Sequence, residues 1–224
     1  MSHMSVQLSP SSLSLFLECP RCFWLQMKEK IKRPSGPFPS LPGGMDGLIK
    51  KYFDSHRARG SMPPELIGIV DARLFSDQPT LDMWRDWRRG LRVSFEADGV
   101  VLRGALDDCF VYDGLLVPVD YKTRGYDVKE ETSDLYQHQL DIYALLLSEN
   151  GYPTAGFAYL IFYIPVELEE NAVARFKIDV VRLETDEQRA RDLVHCAAEV
   201  LAGPLPPPDR SCSFCEWAKK TSSL

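Results

Sequence analysis

No stretch of this sequence is apolar for long enough to cross a bilayer as a helix. The longest uncharged run past the N-terminal segment, residues 150–166, contains Pro153, Gly156 and Pro165. It falls short of the roughly 20 apolar residues that a span requires, and it reads as a buried strand. No secretory leader is expected either: the first short apolar stretch follows no basic segment and precedes no small-residue cleavage site. Met1-Ser2-His3-Met4 reads as an expression scar, which sets His3 aside, and a cytoplasmic protein with no membrane partner is expected. Compositional bias is absent. Apolar residues make up 45% and charged residues 26% of 224, which excludes disordered and collagen-like classes. At roughly 150 residues per domain, the length implies one large core with at most a smaller attachment.

Positive charge is the scarcer sign, 26 Lys/Arg against 32 Asp/Glu for a net of −6, but its distribution is uneven. Residues 1–103 hold 15 basic and 11 acidic side chains, leaving 11 and 21 for residues 104–224. A basic N-terminal part suits a local anion-binding face, while the acidic remainder argues against non-specific coating of nucleic acid. Most such carboxylates simply face water.

Cysteine is sparse, six in all, yet four stand in two identically spaced pairs, Cys19-Pro20-Arg21-Cys22 and Cys212-Ser213-Phe214-Cys215. Cys109 and Cys196 lie in apolar-periodic segments and read as small core residues. A disulfide framework does not suit a cytosolic chain of this size, and a thioredoxin-type motif would be a single pair. Four thiolates suit tetrahedral zinc or an iron-sulfur cluster, and such a site would tie the two ends of the chain together. The long separation between the pairs leaves the metal open.

Residues 9–30 read as a helix, with Ser9 as N-cap, Pro10 in the first turn and Leu13, Phe16 and Leu17 on one side. Pro34, Pro37, Pro39, Pro42 and Gly43-Gly44 predict a loop before a second helix over 45–60. In the loosely patterned stretch 61–90, residues 67–75 are compatible with a strand. Residues 91–96, 100–112 and 115–123 read as three strands. Between the last two, Asp113-Gly114 is a two-residue type I′ hairpin signal. That turn fixes the register: opposed residues sum to 227, so Asp107 faces Asp120, and Lys122 shares their face opposite Ala105. Opposed Cβ atoms lie about 4.5 to 5.5 Å apart, and like charges so placed are destabilising unless compensated. A hard divalent cation would compensate them. So, less specifically, would solvent together with the Lys122 ammonium.

Gly104-Ala105-Leu106-Asp107, Asp120-Tyr121-Lys122 and Gln139-Leu140-Asp141-Ile142-Tyr143 stand in the order of the G-x-x-D, (D/E)-x-K and Q-x-x-x-Y motifs. The chain therefore resembles a PD-(D/E)XK nuclease of the RecB-like branch over residues 45–165. The cysteine pairs extend the likeness toward the iron-sulfur subgroup, which includes the CRISPR-associated adaptation nucleases and the AddB nuclease domain. The resemblance implies an α/β fold, a restriction-endonuclease-like αβββαβ core with a central mixed sheet flanked by helices, closed by the four-cysteine site. Two departures stand out. The cysteines are arranged two and two rather than one and three, and Gly47-Leu48-Ile49-Lys50 puts lysine where the family often has a metal-binding histidine, which favours one catalytic metal over two. His138 and His195 read as structural.

The implied activity is Mg2+- or Mn2+-dependent hydrolysis of DNA, with exonuclease favoured over endonuclease and single strands or ends as substrate. Asp107, Asp120 and the Tyr121 carbonyl would hold the metal. Lys122 would orient the attacking water, and Gln139 and Tyr143 would contact the substrate backbone or that water. Cys19, Cys22, Cys212 and Cys215 would hold a 4Fe-4S cluster, or zinc as the alternative. Lys50, Arg85, Arg88, Arg89 and Arg92 are candidate DNA contacts, with Trp84 and Trp87 interleaved as stacking faces or as core. Proteins of a repair or CRISPR adaptation complex are possible partners. The division expected is 1–4 scar, 5–44 N-terminal helix and loop with the first cysteine pair, 45–183 nuclease core with an insertion at 61–90, and 184–224 C-terminal helix with the second pair. Two other readings remain open: a catalytically inactive DNA-binding module, and a four-cysteine zinc adaptor that binds proteins.

Overall fold

Ser9 starts the first helix as its residue type predicts. In the computed structural model, which describes residues 6–34, 36 and 40–221, Ser9 Oγ accepts from the Ser12 N–H and Ser12 Oγ in turn accepts from the Ser9 N–H, with Pro10 in the first turn. The expected scar, His3, Pro37 and Pro39 lie outside the described residues. Strand β1 (Val6–Leu8) precedes this helix, α1 (Pro10–Glu18), and α2 (Pro20–Trp24) follows, running into a π-helical turn over Leu25–Glu29. The single helix expected over 9–30 is thus broken at Cys19, whose backbone is extended at φ −162°, ψ 104°. Pro20 is the cause, because the residue before a proline is pushed out of the helical region.

Helix α3 (Ser40–Ala58) begins earlier than expected and takes in Pro42, Gly43 and Gly44, which read as loop. Next come β2 (Arg73–Leu74), α4 (Gln78–Arg85), β3 (Leu91–Phe95), β4 (Val100–Gly104), β5 (Asp108–Tyr112) and β6 (Leu115–Thr123). The strand compatible with 67–75 shrinks to the two residues of β2. The single strand expected over 100–112 is two, separated at 105–107, and its halves enter different sheets. The C-terminal part holds α5 (Asp134–Glu149), β7 (Phe157–Leu168), β8 (Ala174–Glu184), α6 (Glu187–Ala202) and α7 (Ser213–Thr221).

A three-stranded sheet runs β1-β4-β3 and a five-stranded mixed sheet runs β2-β5-β6-β7-β8, with β6 and β7 parallel. The Asp113-Gly114 turn forms as its residue types predict. Both residues have positive φ, 48° and 82°, and the β5–β6 ladder keeps the expected register from Tyr112↔Leu115 to Asp108↔Val119.

Strand β7 shows why the larger sheet is covered on both faces. Ala158, Leu160, Phe162 and Ile164 enter one core with α5 and α6, while Phe157, Tyr159, Ile161 and Tyr163 enter the other with Phe53 of α3. Side chains alternate along a strand, so a run apolar at every position needs a packing partner on each side. Of the two leftover cysteines, Cys109 is buried as expected, whereas Cys196 is exposed on α6. No helix among the described residues is long and apolar enough to cross a membrane.

Candidate active site

The break between β4 and β5 delivers Asp107 to the end of the hairpin beside Asp120 of β6. Gly104 makes the approach possible: a Cβ there would stand 2.7 Å from Leu146 Cδ1 and 3.4 Å from Tyr143 Cε1, so a side chain would push α5 away. The crossover is pinned from α4. Leu106 donates its N–H to the Trp84 carbonyl at 3.1 Å, and Arg85 Nε donates to the Asp107 carbonyl at 2.7 Å.

Asp107 Oδ2 accepts from the Tyr121 N–H at 3.2 Å, and Oδ1 lies 2.7 Å from Lys50 Nζ. Asp120 is buried. Its Oδ1 accepts from Gln139 Nε2 at 2.9 Å, and its Oδ2 sits 2.5 Å from Lys122 Nζ. That second oxygen has charge beside it but no properly directed hydrogen bond. Burial, and then the neighbouring Asp107 charge, push the Asp120 carboxyl up to about 7 against the pull of Lys122. Helix α5 closes the site by its four-residue spacing. Gln139 accepts from Lys122 Nζ at 3.2 Å and donates to Tyr143 Oη at 2.7 Å. Burial tends to lower the Lys50 ammonium, but Asp107 and Asp46 outweigh it and hold the group above its ordinary value.

Asp107, Asp120, Lys122, Gln139, Tyr143 and Lys50 therefore come together, and the Tyr121 N–H meets the same cluster. Two converging carboxylates, one with an oxygen lacking a directed donor, are a fitting donor set for one hard divalent cation. Lys50 supplies a positive charge at Asp107.

Arg85 points inward, paired with Asp54 and Asp108 at 2.9 Å, which corrects its reading as a DNA contact. Arg89 pairs with Asp86 at the surface. Trp84 is core, stacked on Phe75, whereas Trp87 is 61% exposed. His138 meets Ser14 Oγ and His195 meets Asp98, as structural side chains do.

Three participants escape sequence reasoning. Asp46 lies 2.9 Å from Lys50 and is detectable as an i,i+4 partner. Tyr136 places its ring under Lys122 Nζ, 4.7 Å from the centroid. Asp108, fully buried, gathers Arg57, Arg85 and the Tyr121 hydroxyl directly beneath the site. Only the fold makes that last cluster visible.

The four paired cysteines meet in their own cluster. Cys19 and Cys215 sulfurs lie 3.7 Å apart, as do those of Cys22 and Cys212, and all four fall within 4.8 Å of one another. Four sulfurs about 2.3 Å from one zinc ion would be spaced by about 3.8 Å. A cubane cluster places an iron inside each thiolate and needs wider spacing. Arg33 Nη2, 3.3 Å from Cys212 Sγ, supplies positive charge to the group. Burial raises the Cys22 thiol to about 12; Cys212 also feels burial, but hydrogen bonds from the Cys215 and Phe214 backbone and from the other cysteines bring it down to about 7.

The family model of the PD-(D/E)XK nuclease superfamily matches residues 46–219. An ATP-dependent helicase/nuclease subunit of Streptococcus suis (strain 98HAH33) is 30% identical over 102 residues, 46% of this chain and 7% of that protein. This chain thus corresponds to a small part of that relative's length. A solved structure described as "Crystal structure of SSO0001" aligns with 89% of this chain and 78% of its own at 16% identity, with a TM-score of 0.45.

Proposed function

Because this chain belongs to the PD-(D/E)XK nuclease superfamily, we propose that it is a metal-dependent deoxyribonuclease acting on single-stranded DNA or DNA ends, as an exonuclease rather than an endonuclease. The observation that carries this reading is the convergence of Asp107 and Asp120 with Lys122 beside them. Asp107, Asp120 and the Tyr121 carbonyl are the proposed metal ligands, for Mg2+ or Mn2+. A divalent cation held there supplies Lewis-acid polarisation of the scissile phosphate and a lowered pKa for a water molecule. Lys122, fixed between Asp120 and Gln139, is placed to orient that water and to offset charge developing on the phosphoryl oxygens. Gln139 holds Asp120 and Lys122 in register while Tyr143 braces its amide. Lys50 is a phosphate contact in this reading, with Arg88, Arg89 and Arg92 as outer contacts to the strand.

The sulfur spacing favours a single zinc ion over the 4Fe-4S cluster at the four cysteines. Its role is to tie α2 to α7. Such a site needs reduced thiols, which favours a reducing compartment such as the cytoplasm. A repair or CRISPR adaptation complex is the proposed setting.

Digestion of end-labelled linear and closed circular single-stranded DNA with Mn2+, with and without chelator, tests the function. Metal-dependent release of label with the circle left intact is expected. Cleavage of circles would remove the exonuclease reading, and no cleavage of either would remove the enzyme reading.

A further inference from the structure

Trp87 sits in the turn between α4 and β3 with its indole open to solvent, and arginines surround it. Arg88 lies 4.9 Å from the ring centroid and Arg103, on β4, lies 5.6 Å from it. Arg103 is also directly opposite Arg92 on the β3–β4 ladder, so both project from the same face. Like charges in that relation destabilise a sheet. No carboxylate pairs with Arg88, Arg92 or Arg103 among the described residues. An anion would relieve that repulsion, and the exposed indole beside the arginines adds a flat apolar surface.

The surroundings say where that anion leads. A cavity of about 360 Å³ is lined by Trp87 and Arg103 together with Gln139 and Tyr143, with Ser9 and Ser11 among its walls. Its size falls in the range of small-ligand sites, roughly 300 to 1,000 Å³. Gln139 is the residue that holds the Asp120 carboxylate, so the cavity adjoins the catalytic cluster. Alternating aromatic faces and guanidiniums are the chemistry that binds unpaired nucleotides: the base stacks, and the phosphate takes the charge. A duplex keeps its bases stacked on each other and has none to offer the indole.

We propose that Trp87 and Arg103 form a nucleotide subsite in which one unpaired base next to the scissile phosphate stacks on the indole while Arg92 and Arg103 take its phosphate. This deepens the nuclease reading of the same site and rests on it for the position of the cut. It makes Trp87 the residue that selects single-stranded over duplex substrate.

The test uses the full chain as wild type, Trp87→Ala, Trp87→Phe and Arg103→Gln. Binding is measured in Ca2+ by anisotropy of a labelled single strand, of a series in which one base at a time is removed, and of a blunt duplex. Cleavage of each is followed in Mn2+. Removal of one base–aromatic stack costs about 5- to 150-fold in affinity. Trp87→Ala should weaken single-strand binding and raise KM by that factor, with kcat and duplex binding little changed, and Trp87→Phe should recover most of it. Arg103→Gln should weaken binding and flatten its salt dependence. One abasic position should cost wild type the same factor and cost Trp87→Ala nothing further. A flat abasic series, or single-strand binding by Trp87→Ala equal to wild type, would overturn the subsite. Absence of cleavage by wild type would strike the nuclease reading instead, while the anisotropy series would still decide whether a base stacks on Trp87.

Discussion

Lys50 rests its ammonium 2.7 Å from Asp107 Oδ1, an oxygen of one of the two carboxylates proposed to hold the metal. A metal ion held at Asp107, as proposed, would share that carboxylate with the lysine and be repelled by it. Lys50→Met should leave Mn2+ binding at least as tight as in wild type, because a competing charge is gone. DNA cleavage should fall roughly 10- to 100-fold through the loss of one charged phosphate contact. Calorimetric Mn2+ titration and cleavage kinetics on the same protein check both halves; weakened metal binding would show that Lys50 supports the site instead.

Asp120 makes the metal-free protein sensitive to pH. Its carboxyl is raised to about 7 by burial and by Asp107, so the folded chain holds this proton after the unfolded chain, titrating near 4, has released it. The resulting stabilisation is fully present below pH 4 and is lost as pH rises through about 7. Denaturant unfolding of metal-free wild type and Asp120→Asn should diverge across that window, with the variant gaining relative to wild type as pH rises. Divalent metal should narrow the gap by stabilising the ionised wild-type carboxylate.

Asp108 is the buried counter-charge to Arg57 and Arg85. Its replacement by alanine strands two guanidiniums in the interior and frees the Tyr121 hydroxyl, and breaking such a buried pair costs about 3 to 5 kcal/mol. Urea unfolding of Asp108→Ala should register a loss of that size. Because Arg85 also grips the Asp107 carbonyl, cleavage at a temperature where the variant stays folded should fall as well.

The thiolate cluster predicts a colourless protein carrying one zinc ion per chain. Cys22→Ser should abolish stoichiometric zinc and lower the melting temperature, and a strong chelator should have the same effect on wild type. Zinc binding should weaken on acidification, since protons compete for the sulfurs. Metal analysis with an absorption spectrum decides: a brown protein with a band near 400 nm and about four irons would require a wider sulfur arrangement than the one seen.

The parts of the fold legible in sequence are those set by local chemistry. Asp113-Gly114 can form a tight turn wherever it occurs, and from that turn the register of β5 against β6 follows by counting. The break at Cys19 is equally local, written in Pro20, but the apolar pattern runs on across it and masks it. The division between β4 and β5 is different in kind. Residues 100–112 alternate as one strand would, and only the packing of Leu146 and Tyr143 on Gly104, with the grip of Arg85 on Asp107, shows why the chain leaves one sheet for another. Arg85 and Arg88 are indistinguishable by type, and a partner 23 residues away turns the first inward. Strand β8 is legible in the same local way: Arg175, Lys177 and Asp179 alternate with Phe176, Ile178 and Val180, which pack on the core at an edge of the sheet.

Metal-dependent cleavage by this chain requires Asp107 and Asp120 to act as one cation site. Calorimetric titration of Mn2+ into wild type, Asp107→Asn and Asp120→Asn, with the thiolate site filled by zinc beforehand, examines this directly. One ion should bind wild type with an affinity that rises as pH passes 7, and each variant alone should abolish most of the heat. Undiminished Mn2+ binding in both variants would contradict the shared site and the mechanism built on it.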